Sequence, residues 1–132
     1  MNTRNVVIAV IFLLLSSLSA MELKAQDAIK AVMKKCESME NVTIDVIRNR
    51  NSETGKVTRL LTTIRFEISS NPGLEKEFLA AFQKDAVKAS QEIESMSGGK
   101  MKNVFYRFGE SSYSYTSDNE YFSFIAIEKF NE

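Results

Sequence analysis

The chain has 132 residues, with 17 basic and 17 acidic side chains and no histidine. Because the two signs of charge are interspersed, the sequence offers no basic stripe that could follow a phosphate backbone, and we expect no nucleic-acid partner. Without histidine the chain lacks the usual general base near neutral pH and the imidazole ligands of zinc. We therefore expect no catalytic residues, no cofactor and no metal.

The first 25 residues have the layout of a secretory signal peptide. Arg4 precedes ten consecutive apolar residues at 6–15, and small residues follow. Ten helical residues, at about 1.5 Å each, cannot cross a hydrocarbon core of about 30 Å, so a retained anchor is the weaker interpretation. Cleavage after Ala25 is preferred to cleavage after Ala20. This predicts a signal peptide at 1–25, a single α+β domain at 26–132, and no stable membrane span after cleavage.

The only cysteine, Cys36, cannot form a disulfide within one chain. An exported domain without disulfides is typical of the bacterial envelope, so we expect a periplasmic or secreted protein. Cys36 falls on an apolar helical stripe, which predicts a buried structural thiol. A reactive thiol or an intermolecular disulfide is the alternative.

The first half of the domain predicts a helix and a hairpin. Residues 27–39 carry apolar side chains at helical spacing, with Asp27 placed to cap the helix. Residues 42–48 and 57–68 alternate apolar and polar side chains, which is typical of half-buried strands. Matching their apolar faces predicts a hairpin with Val46 opposite Leu60.

The second half predicts the same order. A long apolar stripe indicates a helix over residues 74–96, which Gly98 and Gly99 would end. Phe82 lies in the middle of this stripe, which predicts that it is a core residue. Residues 103–117 and 120–130 indicate a second hairpin. The predicted fold is an α+β two-layer sandwich in the order α-β-β-α-β-β, with two helices on one face of a four-stranded antiparallel sheet.

The last hairpin concentrates the aromatic residues of the chain. The predicted register places Tyr115 opposite Phe122 and Tyr113 opposite Phe124, which forms an aromatic ladder on one face. A second apolar set, which includes Tyr121, Ile125 and Ile127, lies on the other face, and two helices cannot cover both. Because a tyrosine hydroxyl can keep a hydrogen bond to water, we expect the ladder to point outward as a candidate interaction face. Packing within the core is the alternative explanation.

No motif indicates catalysis. The carboxylate pairs Glu75 with Glu77 and Glu92 with Glu94 are two residues apart on predicted helices, so they do not face each other. We expect a non-enzymatic envelope protein that binds a protein or another envelope ligand. The alternatives are an enzyme that uses carboxylates or tyrosines, and a self-assembling structural subunit.

Two resemblances accompany these patterns. The leader that ends Lys24-Ala25-Gln26, followed by a domain of this length, resembles small exported Bacteroidetes domains of unknown function. The helix–hairpin–helix–hairpin order is similar to that of PepSY-like and β-lactamase-inhibitor-like domains. The second resemblance implies binding or inhibition of other proteins, and neither one assigns functional residues.

Overall fold

The computed structural model of the chain describes residues 27–130. It contains two helices, α1 (Asp27–Cys36) and α2 (Pro72–Ala86). Its six strands are β1 (Thr43–Arg50), β2 (Val57–Glu67), β3 (Gln91–Ser97), β4 (Met101–Phe108), β5 (Ser111–Ser117) and β6 (Tyr121–Lys129). Neither α1 nor α2 is long and apolar enough to cross a membrane. The predicted signal peptide at 1–25 lies outside the described residues.

The strands form one sheet in the order β1-β2-β6-β5-β4-β3, with every neighbouring pair antiparallel. The predicted four-stranded sheet is therefore wrong: the sheet has six strands. The stretch expected to be one strand at 103–117 is divided by a turn at Gly109, whose φ of 64° suits glycine. A second additional strand, β3, comes from residues expected to be helical.

The end of the predicted helix at 74–96 is a strand. Helix α2 stops at Ala86, and residues 91–97 pair with β4 along their whole length. Gly98 and Gly99 form the turn between β3 and β4, with φ angles of 61° and 69°. Pairing with a neighbouring strand satisfies the backbone of this polar segment, and this outweighs a weak helical spacing.

Both predicted hairpin registers are displaced by two residues. Val46 lies opposite Thr62 instead of Leu60, and Tyr115 lies opposite Phe124 instead of Phe122. A shift of two leaves every side chain on the face to which the alternation assigned it. The pattern of faces is therefore right, although the pairs of residues are not.

The core lies between the sheet and α2. Phe78 contacts Phe122 and Phe124, with ring centroids 5.1 and 5.0 Å apart. Phe82 contacts Tyr115 edge to face at 4.8 Å, and it is 1% exposed. This confirms the prediction that Phe82 is a core residue.

Helix α1 packs against the same core through its predicted stripe. Ile29 and Cys36 are fully buried, and Val32, Met33 and Met39 are partly buried beside them. Burial raises the pKa of the Cys36 thiol to about 11, so the thiol stays protonated at neutral pH. These contacts agree with the prediction of a buried structural thiol.

The N-terminus of α1 is held by a carboxylate of α2. Asp85 accepts hydrogen bonds from the backbone N–H groups of Ala28, at 3.2 Å, and Ile29, at 2.8 Å. Asp27, which was expected to cap the helix, lies in its first turn. Burial raises the pKa of the Asp85 carboxyl, and the two hydrogen bonds offset part of that increase.

We expect Phe82→Ala to lower the free energy of unfolding by roughly 3–5 kcal/mol, because it opens a cavity among the rings. In a domain of this size the melting temperature should fall by about 10 °C or more. Phe130→Ala is the matched control, since Phe130 is 42% exposed. Equal small effects of the two substitutions in thermal denaturation would contradict the position of Phe82 in the core.

A pH-dependent effect is expected at Asp85. A raised folded pKa means that this carboxyl contributes stability that is fully present below its ordinary pKa of 3.8 and lost as the pH rises through the folded pKa. Asp85→Asn keeps an oxygen acceptor and cannot ionise. The free energy of unfolding of the wild type, minus that of the variant, should therefore fall in urea denaturation as the pH rises above about 4.

Asp118→Asn is the control of opposite sign. Backbone N–H groups of Tyr121 and Glu120 donate to the Asp118 carboxylate and hold its pKa below the usual range. Its contribution is present above the ordinary pKa and is lost as the pH falls. The wild-type minus Asp85→Asn difference in unfolding free energy should not stay constant with pH or rise as the Asp118→Asn difference does. Either result would contradict a raised pKa for Asp85.

Candidate functional site: the open face of the sheet

The four residues expected to form an outward face lie under the helices instead. Tyr113, Phe122 and Phe124 are 0% exposed, and Tyr115 is 5% exposed. The expected orientation is therefore wrong. The reason is the apolar area that these rings bury. Packing on Phe78 and Phe82 of α2 stabilises the fold more than exposure of the tyrosine hydroxyls to water would.

The opposite face of the sheet, here called the open face, is turned away from both helices. Ile125 and Ile127 of β6 alternate with the buried Phe124 and Ala126, so they belong to the open face. The strand register places further apolar side chains on it. Together they form an apolar strip across the sheet, which consists of Ile47, Leu61, Ile93, Phe105, Ile125 and Ile127.

The apolar strip is accessible to solvent. Ile47 is 56% exposed, Ile93 48% and Ile125 40%, while the other three members are half-buried by their neighbours in the sheet. Neither described helix packs on this side. An accessible group of large aliphatic side chains on a sheet is typical of a surface that contacts another molecule.

Hydroxyl groups surround the apolar strip. Ser114 lies between Ile125 and Phe105 in the register, and Ser112 lies beside Ile127. In the next row Thr116 donates a hydrogen bond to the side-chain oxygen of Asn103 at 2.7 Å. The open face thus combines large apolar side chains with hydroxyl groups that lie both among them and beside them.

Charged side chains lie at both ends of the open face. Arg59 lies directly opposite Lys129 at one end, and Lys129 forms an ion pair of 3.7 Å with Glu110. Glu67 lies opposite Tyr121 at the other end. Neither Arg59 nor Glu67 belongs to an ion pair between residues that the structure describes.

A groove of about 860 Å³ lies at the Glu67 end of the open face. The Arg65 guanidinium stands 4.5 Å from the centroid of the Tyr121 ring, a cation–π contact that fixes both side chains. Thr63, Ser123 and Glu67 also line the groove. These groups can form hydrogen bonds and ion pairs with polar groups of another molecule at the edge of the apolar strip.

The tyrosines under the helices are poor bases. Burial raises the pKa of Tyr115 to about 12 and also raises the pKa of Tyr106, so both phenols stay protonated at neutral pH. Glu92 and Glu94 belong to β3, where residues two apart share a face, so the expectation that they point apart is wrong. Within residues 27–130 no group of three or more acidic, cysteine or histidine side chains is placed to hold a metal ion.

One sequence signal could have identified the open face. In β5 the serines 112 and 114 alternate with Tyr113 and Tyr115. Serine gains little from burial, so the serine side is the side expected to meet solvent. Ile125 shares that side through its pairing with Ser114. The positions of the serines, and not the polarity of the tyrosine hydroxyls, therefore indicate which side of the sheet faces solvent.

The comparisons with known proteins concern the whole domain. A family model described as "Domain of unknown function (DUF5024)" matches residues 26–127. No curated protein and no solved structure is significantly similar to the chain. No similarity to PepSY-like domains is found, and the helix–hairpin–helix–hairpin order behind that expectation is not the order observed. Because the family match covers most of the chain, the protein belongs to the DUF5024 family of domains of unknown function.

Proposed function

We propose that the chain is an exported, non-enzymatic binding domain of the bacterial envelope, which recognises a protein partner with its open face. The observation that carries the proposal is the accessible apolar strip centred on Ile125, on the side of the sheet that the helices leave uncovered. The helix side already has a filled aromatic core. The open face is the surface on which a further layer can pack.

The shape of the site favours a protein over a small ligand. The apolar strip has members on five of the six strands, all except β5, and the groove at the Glu67 end opens along its side. Small ligands are bound in concave sites that cover most of their surface. A broad sheet face that combines large apolar side chains with hydroxyl and charged groups suits a protein surface better.

Export is supported by the composition of the N-terminal segment and by the family match. Ten consecutive apolar residues at 6–15 follow Arg4, and the family match begins at residue 26, directly after the preferred cleavage site. The lone cysteine also fits an envelope protein that folds without disulfides.

We expect the protein that accumulates outside the cytoplasm to begin at Gln26, because the signal peptidase removes residues 1–25. N-terminal sequencing of that protein is the measurement. Ala25→Lys, which places a large charged residue at the cleavage site, is the control and should leave the leader attached. A wild-type protein that keeps residues 1–20 in the membrane fraction would show that the segment is an anchor.

Photo-cross-linking in intact cells tests the binding face. A photoreactive amino acid at Ser114, beside Ile125, should form cross-links to protein, whereas the same group at Lys76, an exposed residue of α2, should not. Ile125→Glu should abolish the Ser114 cross-links, because a charge at the centre of the apolar strip opposes burial.

The same substitution must leave the domain folded. Ile125 is 40% exposed, so its replacement should change the melting temperature far less than Phe82→Ala does. Cross-links from Ser114 that persist in Ile125→Glu, or cross-links of equal strength from Lys76, would contradict binding through the open face.

A further inference from the structure

Two opposite charges of β2 lie at equal distances from the centre of the open face. On β2, Arg59 and Glu67 lie four residues on either side of Thr63. On β6, Lys129 and Tyr121 lie four residues on either side of Ile125, the neighbour of Thr63 in the register. The row through Thr63 and Ile125 therefore separates an end with Arg59 and Lys129 from an end where Glu67 lies beside Tyr121 and the Arg65 guanidinium that stacks on its ring.

We propose that the partner of the open face is the open face of a second copy of this chain, related by a two-fold axis along the row of Thr63 and Ile125. This inference depends on the proposed function, since it names the occupant of the same surface. The axis reverses the strand direction and keeps the strand order, so β2 packs over β2 and the Arg59 end of one copy meets the Glu67 end of the other.

The charge complementarity tolerates one sense of the rotation between packed sheets. Packed sheets are rotated by about 30° relative to each other, which displaces the ends of facing strands by about one strand spacing. A displacement toward β6 places Glu67 over Lys129 of the second copy, which is also basic, whereas a displacement toward β1 places it over Asn49.

A single copy leaves a repulsion that the second copy relieves. Arg59 and Lys129 are directly opposite on neighbouring strands, where like charges are destabilising. Glu110 approaches Lys129 at 3.7 Å but is the only acidic group in an ion pair with either residue within the described part of the chain. Glu67 of a second copy adds a negative charge at this pair, once for each of the two symmetric contacts.

The centre of the face fits the same axis. Ile125, Phe105 and Ile93 all lie in the row of Thr63, so aligned sheets would bring each to its own counterpart, with Ser114 between Ile125 and Phe105. Six strands about 4.8 Å apart and eight residues of about 3.3 Å give roughly 600 Å² for each copy, or about 1,200 Å² in total, the lower end of specific interfaces. The two Asp45 carboxylates meet at the outer edge, where solvent screens them.

The other way to join two such sheets, through their edge strands, is less favourable at β3. Antiparallel pairing of two β3 strands would bring Glu92 and Glu94 of one copy beside the same residues of the other. Like charges at these positions oppose pairing, a common protection of edge strands. Face-to-face packing brings unlike charges together instead.

Charge reversal tests the proposal on the protein in the form that accumulates after export, by analytical ultracentrifugation over a range of concentrations. The wild type should dimerise, and Arg59→Glu and Glu67→Arg should each weaken dimerisation about tenfold or more. An equimolar mixture of the two variants should restore it, because each symmetric contact then joins unlike charges. The double variant Arg59→Glu, Glu67→Arg should also dimerise on its own, and Lys76→Glu, a reversal on α2, should have no effect.

The following results would overturn the proposal, and they differ in whether the binding function of the open face survives. A monomeric wild type whose Ser114 probe still cross-links to a different protein would exclude the second copy and keep the binding face. A monomer without cross-links would exclude both. A dimer that neither charge reversal weakens, or variants whose mixture stays monomeric, would show that these charges do not face each other.

Discussion

The fold depends on one layer of aromatic rings between α2 and the sheet. Phe78 lies against Phe66 of β2 and against Phe122 and Phe124 of β6, with ring centroids 5.0 to 6.2 Å apart. One turn later, Phe82 reaches Tyr106 of β4 and Tyr115 of β5. A single helix thus connects the four central strands, and burial of its rings is the main apolar contribution that this small domain can draw on.

That layer also determines what the rest of the surface can do. The helices cover the aromatic side of the sheet. No described element covers the aliphatic and hydroxyl side chains on the opposite side. In a single-layer sheet this arrangement is tolerable, since serine and threonine hydrate the space between the isoleucines. It also leaves a surface of interface composition. The titratable groups on the helix side have structural roles. The buried tyrosines keep their protons, and the buried Asp85 side chain accepts a hydrogen bond from the start of α1.

Sequence patterns predicted the elements with strong periodicity. The stripe of α1, the position of Phe82 in α2 and the faces of β1, β2, β5 and β6 follow from spacing alone. Residues 91–97 could not be assigned in this way, because Ile93 and Met96 are spaced three apart as on a helix, while the pairing that makes them a strand involves residues 101–107. Registers were displaced by two because alternation fixes the face and not the partner. The candidate site was assigned to the wrong side of the sheet, since two apolar sets competed and only the packing of α2 decides between them.

The contact between Asp85 and α1 has a consequence for the order in which the chain folds. The amide groups at the start of α1 are satisfied by a carboxylate 56 and 57 residues later in the chain. A helix of ten residues is marginal by itself in water. The α1 segment, synthesised before the other described elements, therefore has to wait for β1, β2 and α2 before its end is capped. For the export that we propose, this delay would keep the α1 segment unfolded while it passes through a translocation pore.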